Sequence, residues 1–215
     1  MTVSPFVPWP PGPPLVLASG SPRRAELLRV AGIPFEIAPA PEAEHAHAAA
    51  AAVLRGEPAR YAVAMALAKA EAVAAGQPGR LVLGADTVVV HDGDLLEKPA
   101  DAAEACRMLA RLAGRVHVVV TGLAIAGGVR GRWTGHESTR VEFLPLDADT
   151  IRRYVATGEP LDKAGAYGIQ GYGALMVRRV EGCYFNVMGL PLALLGRALR
   201  EVLGDGGHGS AGGTS

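Results

Sequence analysis

The chain predicts a mixed α/β fold, a β-sheet with flanking helices. Three observations carry that prediction. Short apolar, β-branched runs alternate with alanine- and leucine-rich stretches of helical length. Helix punctuation brackets those stretches, with Pro22, Asp101 and Asp147 at the front and Gly32 and Gly76 at the back. Two hairpin patterns interrupt the alternation, so the sheet is expected to be mixed rather than wholly parallel.

Taken in order, Leu15–Ala18 reads as a buried strand. Ser21 at the N-cap and Pro22 at the first helical position open a helix to Ala31, which Gly32 stops. Phe35–Ala38 is a short strand, and Pro39 and Pro41 lead into a loop at Glu42-Ala-Glu44. Glu57–Ala75 is a long helix ended by Gly76. Leu81–Leu83 is an apolar strand running into Gly84-Ala-Asp86-Thr87, followed by a hairpin from Val88–Val90 through His91-Asp-Gly-Asp94 to Leu95-Leu96. Asp101 with Glu104 three residues on is a capping box for a helix to Ala113. Val116–Ile125 is a long strand, turning at Gly127-Gly128 into a second that ends near Phe143. Asp147 and Asp149 start a helix to Ala156, Ala174–Val180 is a further strand, and Pro191–Leu203 is the last helix.

A chain of 215 residues fits one domain with a substantial core, here expected over 15–203. Residues 1–14 form a proline-rich arm and 204–215 a glycine-rich tail, both expected to lack fixed structure. Lys+Arg 21 balances Asp+Glu 21 with no basic block, which argues against a nucleic-acid partner. No apolar run is long enough to span a bilayer, and the N-terminus lacks the cationic start of a signal peptide. Cys106 and Cys183 show no metal-ligand spacing, so a reduced, cytoplasmic protein is expected.

Four places could carry chemistry. Arg23 and Arg24 fall in the first turn of a helix, where the dipole disfavours cations. Either they are simply solvated, or an anion sits there, met by free N–H groups, Ser19, Ser21 and two guanidinium forks. Asp86 follows a buried strand and a glycine, where α/β folds place ligands. It either closes a turn or serves a metal ion or a water. Lys98, in Glu97-Lys98-Pro99, gains interest only if it approaches Asp86, and Lys69 reads as an ordinary helical lysine. Finally, four glycines within Gly165–Gly173 suggest backbone close to a ligand or another chain, and the Gln170 amide can pair with the edge of uracil or thymine. The six histidines form no metal pattern, and no His/Asp constellation activates Ser19 or Ser21 as a nucleophile.

Together, Ser19-Gly-Ser-Pro-Arg-Arg24, Gly84-Ala-Asp-Thr87, Glu97-Lys-Pro99, Asp162-Lys-Ala-Gly-Ala-Tyr-Gly-Ile-Gln-Gly171 and Gly189-Leu-Pro191 resemble the Maf family of nucleotide pyrophosphatases. The resemblance spans Leu15 to about Leu203. It implies an elongated mixed sheet with two lobes around a central cleft, commonly dimeric. It also implies cleavage of a nucleoside triphosphate between the α and β phosphates, with a divalent cation (Mg2+ or Mn2+). Arg23, Thr87 and Gln170 match the positions that mark the dTTP/UTP subgroup. Asp86 is the implied catalytic carboxylate and metal ligand, with Arg24, Lys69, Lys98 and Lys163 as further substrate-binding groups. Where the family has an acidic pair this chain has Ala43 and Glu44, so Glu44 alone carries over as a metal ligand. The alternatives are a house-cleaning pyrophosphatase for other modified nucleotides such as 7-methyl-GTP, or a non-catalytic nucleotide sensor regulating cell division.

Overall fold

The computed structural model describes residues 4–39, 52–128 and 131–204. At its centre lies one seven-stranded mixed sheet. Strand β1 (Leu15–Leu17) runs parallel to β2 (Phe35–Ile37) on one side and to β3 (Leu81–His91) on the other. Beyond β3 the pairing is antiparallel, through β5 (Val116–Gly127) and β6 (Trp133–Phe143) to β7 (Val177–Glu181). Strand β4 (Asp94–Leu96) folds back onto the far end of β3.

Successive strand residues point to opposite faces, and here both faces are covered. Leu15, Leu17, Leu83, Leu123 and Ile125 enter the larger core, with α1 (Pro22–Val30), α3 (Ala102–Leu112), α4 (Ala148–Ala156) and α6 (Leu192–Leu203). Val16, Val82 and Ala124 face the alanine side of α2 (Pro58–Ala74). Two glycines let α2 lie directly on the sheet. A Cβ at Gly84 would stand 2.0 Å from the Ala66 carbonyl oxygen, and one at Gly122 2.3 Å from the Ala62 carbonyl carbon.

The cleft arises from a gap in the pairing. β1 accompanies β3 only to Leu17↔Leu83, and β4 joins it only from Val89↔Leu96. Between them, 84–88 has β5 on one edge and no described strand on the other. Side chains of both faces can therefore reach one opening.

Three expectations need correction. Gly84-Ala-Asp86-Thr87 is not a turn after a strand, because β3 runs unbroken from Leu81 to His91 and pairs with β5 from Leu81 to Val90. The strand tolerates Asp86 in its middle because Asp86 shares the α2-facing side with Gly84, where a lysine meets it. The strand expected over Ala174–Val180 begins only at Val177; Gly171–Met176 is a 3-10 turn, started by Gly171 at φ +76°. The arm expected to lack fixed structure is pinned to the domain at a few points between residues 4 and 14. The Ser4 N–H donates to the Gly32 carbonyl (2.9 Å), Val7 is buried and Trp9 lies against the main core. Its prolines pre-set the backbone, so little entropy opposes docking once Val7 and Trp9 supply apolar anchors. The tail from 205 lies outside the described residues. The short helix α5 (Tyr184–Val187), which the sequence reading missed, follows β7. No described helix is long and apolar enough to cross a membrane.

Candidate active site

A cavity of about 690 Å³ opens at the gap beside β3. Ser19, Ser21, Arg23 and Arg24 line one side, at the corner between β1 and α1. Asp86 and Thr87 form the floor; Lys69, Lys98, Lys163 and Gln170 complete the wall. Glu44 lies outside the described residues, so its expected role as a metal ligand stays an expectation.

Lys69 is not the solvated lysine the sequence suggested. It is only 5% exposed, and its Nζ donates to Asp86 Oδ1 at 2.7 Å. The contact follows from the close seating of α2 on Gly84 and Gly122, which aims a side chain three residues beyond Ala66 at the next outward position of β3.

Arg24 is held from three directions. Nε donates to the Gly189 carbonyl (2.9 Å), Nη1 to Ser19 Oγ (3.0 Å) and Nη2 to Thr87 Oγ1 (3.3 Å). Ser19 Oγ also accepts from the Ser21 N–H (3.3 Å), while the Ser21 hydroxyl makes no cap bond. Ser21 thus occupies the N-cap position with no side-chain cap bond, at a helix end whose dipole favours an anion.

Proton accounting fixes what Thr87 can do. Thr121 Oγ1 donates to the Asn186 carbonyl (3.1 Å), so the 2.9 Å bond between Thr87 and Thr121 must use the Thr87 proton. Having spent its donor, Thr87 can only accept, and one of its lone pairs already serves Arg24. Its hydroxyl braces an arginine, and its second lone pair is left to accept from a ligand in the cavity that Thr87 lines. Asn186, fully buried, continues the chain through Nδ2 to the Val119 carbonyl and Thr139 Oγ1 (both 3.0 Å).

Arg23 and Lys163 converge on Asp162: Arg23 Nη1 lies 3.1 Å from Asp162 Oδ2, and Lys163 Nζ bonds Oδ1. Partial burial pushes the Asp162 carboxyl upward, but hydrogen bonds from Lys163 and Arg23 prevail and hold it below its usual range. Asp162 sits inside a motif quoted above but received no role from the sequence.

Glu97 and Tyr61 were also missed. Tyr61 donates to Glu97 Oε1 and Arg55 to Oε2, both at 2.7 Å. Burial, the Glu97 bond and the charges of Glu97 and Asp86 push the Tyr61 phenol far above its ordinary value, so it remains a donor. Tyr61 is a lone aromatic in an alanine-rich helix, a signal the sequence did hold.

The donor set fits a hard cation shared with substrate. Among the described residues no cluster of three or more His, Cys, Asp or Glu could form an all-protein cage. Asp86 and Glu97 both face the cavity, and small divalent cations are held by one or two carboxylates plus substrate phosphates.

Cations along one wall and a carboxylate on the floor define an α/β protein built to take a polyanion against an acidic centre. The family described as Maf-like protein matches residues 14–202, and this chain belongs to the Maf family. It is 53% identical over 178 residues to the dTTP/UTP pyrophosphatase of Symbiobacterium thermophilum, covering 83% of this chain and 88% of that one. It is 55% identical over 179 residues to the protein of the same name from Moorella thermoacetica, covering 83% and 89%. The Staphylococcus aureus Ham1 structure superposes with a TM-score of 0.48 at 15% identity, over 87% of this chain and 98% of that one.

Proposed function

We propose that the chain is a nucleoside triphosphate pyrophosphatase acting on dTTP and UTP, as the names of its relatives have it. The observation that supports this best is Asp86, oriented by Lys69, on the floor of the cavity that Arg23 and Arg24 border. Attack of water on the α-phosphorus breaks the bond to the oxygen bridging α and β, releasing pyrophosphate and the monophosphate. Asp86 takes the proton of the attacking water. Arg23, Lys98, Lys163 and the α1 N-terminus bind phosphate oxygens; a triphosphate draws Arg23 and Lys163 away from Asp162. Arg24, fixed by three acceptors, presents a charge of set direction. Gln170 pairs with the pyrimidine edge, and Thr87 acts through Arg24. A divalent cation, Mg2+ or Mn2+, held by Asp86 with Glu97 and in our reading Glu44, neutralises phosphate charge when bound. Free Cys106 and Cys183 are consistent with a cytoplasmic location, and a homodimer with no nucleic-acid partner is part of the same reading.

A nucleotide panel with pyrophosphate detection tests the proposal, run with Mg2+, with Mn2+ and with a chelator. dTTP and UTP are expected to turn over fastest, and chelation to stop the reaction. Asp86→Asn should lower kcat by about 10³-fold with the fold retained. Wild-type turnover in that variant would remove Asp86 from the mechanism, and faster hydrolysis of 7-methyl-GTP would reassign the substrate. Nucleotide binding without turnover by the wild type would point instead to a sensor.

A further inference from the structure

The segment that carries Lys163 and Gln170 is anchored by a carboxylate that does not line the cavity. Glu159 Oε1 accepts from the Tyr154 hydroxyl (2.8 Å) and the Gly173 N–H (3.1 Å), and Oε2 accepts from the Tyr172 N–H (3.0 Å). The Tyr154 oxygen in turn accepts from the Gly168 N–H at 3.1 Å. Gln170 is thus bracketed, with Gly168 two residues before it and Tyr172 two after it tied to the same Glu159–Tyr154 pair. A third tie comes from Lys163, whose Nζ donates to the Glu159 carbonyl oxygen at 2.6 Å.

The glycines fit this clamp. A Cβ at Gly171 would stand 2.6 Å from Glu159 Oε2, and one at Gly173 2.2 Å from the Gly168 carbonyl oxygen and 2.9 Å from the Tyr154 oxygen. Backbone here closes around its own carboxylate and phenol, so the glycine density reports packing within the chain. Tyr154 is buried, and burial together with Glu159 keeps its phenol protonated despite the opposing Gly168 bond, so the donor to Glu159 persists.

We propose that Glu159 and Tyr154 are positioning residues that fix Gln170 against the base and thereby set nucleotide preference without touching substrate. The inference rests on the proposed base-reading role of Gln170. Glu159→Gln puts an amide donor where one of the N–H groups needs an acceptor, and Tyr154→Phe deletes a single oxygen from a buried ring. In either variant KM for dTTP and UTP should rise about tenfold with kcat within about twofold. The preference for uracil and thymine over cytosine nucleotides should fall about tenfold. Combined with Gln170→Ala, neither substitution should lower the preference further.

A folded Tyr154→Phe protein with unchanged preference overturns the proposal, as does an additive loss in the double variant. Tyr154→Phe decides the matter if Glu159→Gln does not fold. Gln170→Ala alone separates the two levels. If it leaves the preference intact, base reading by Gln170 fails. If it abolishes the preference while Glu159→Gln and Tyr154→Phe do not, only the clamp fails.

Discussion

Arg24 and Gln170 line the same cavity, but they reach it by different means. Arg24 leaves the first turn of α1, directly after β1, and three separate elements offer it acceptors: Ser19, Thr87 on β3 and the Gly189 carbonyl. Its position is overdetermined by regular structure. Gln170 sits between two stretches of 3-10 turn, and the backbone on either side depends on one carboxylate and one phenol. Loss of one bond therefore means little at the first residue and much at the second.

Arg24→Lys attacks the first region and should have the largest effect of the substitutions that separate the two, about a 10²-fold fall in kcat/KM in steady-state assays. An ammonium lacks the planar fork that meets three acceptors at once. Activity within about threefold of wild type would mean that the direction of this charge does not matter.

Thr121→Val probes the same region one bond further out. It leaves the Thr87 proton without an acceptor, while the Asn186 carbonyl keeps the Gly189 N–H at 2.9 Å, so chemical denaturation should show a loss of about 1–3 kcal/mol. Arg24 keeps its own acceptors, so kcat/KM should change by less than about threefold. A large fall in activity without loss of stability would show that the corner is no more robust than the loop.

The smallest expected effect on activity concerns His117, whose Nε2 lies 2.8 Å from the hydroxyl of Tyr167 beneath the loop. Burial, and secondarily His91, lower this imidazole from 6.5 to about 3. The native ring stays neutral while the unfolded one takes up a proton below pH 6.5. Its contribution therefore falls as pH drops from about 6.5 toward 3, by about 1.4 kcal/mol per pH unit well below 6.5. His117→Gln should flatten the decline in Tm between pH 6 and pH 4, read as a slope because lost packing lowers Tm at every pH. An unchanged slope would place the acid sensitivity elsewhere.

Local signals foretold much of this. Ser21-Pro22 opened α1 and Gly32 ended it, and Asp101 and Asp147 cap their helices, accepting from the Glu104 and Thr150 N–H groups at 2.7 Å. The cations at the helix start, which the sequence left as either solvated or anion-binding, line the cavity. The partners of Lys69 and Thr87 were not legible, since a lysine among alanines looks solvated and nothing near Thr87 in sequence names the arginine it braces. Only the seating of α2 on two glycines, and a hydroxyl chain across β3 and β5, give them partners.

By itself the sequence determined the mixed α/β class, the helix boundaries set by capping residues, and the set of polar groups available for chemistry. Such features depend on neighbours a few residues apart, where backbone preference and periodicity act. The tertiary structure decided that β3 runs through Asp86, that an interrupted pairing opens the cleft, and that Glu159 braces the loop around Gln170. Those outcomes rest on contacts between distant segments, such as Lys69 with Asp86 and Arg24 with Gly189, whose geometry exists only once helices and sheet have packed.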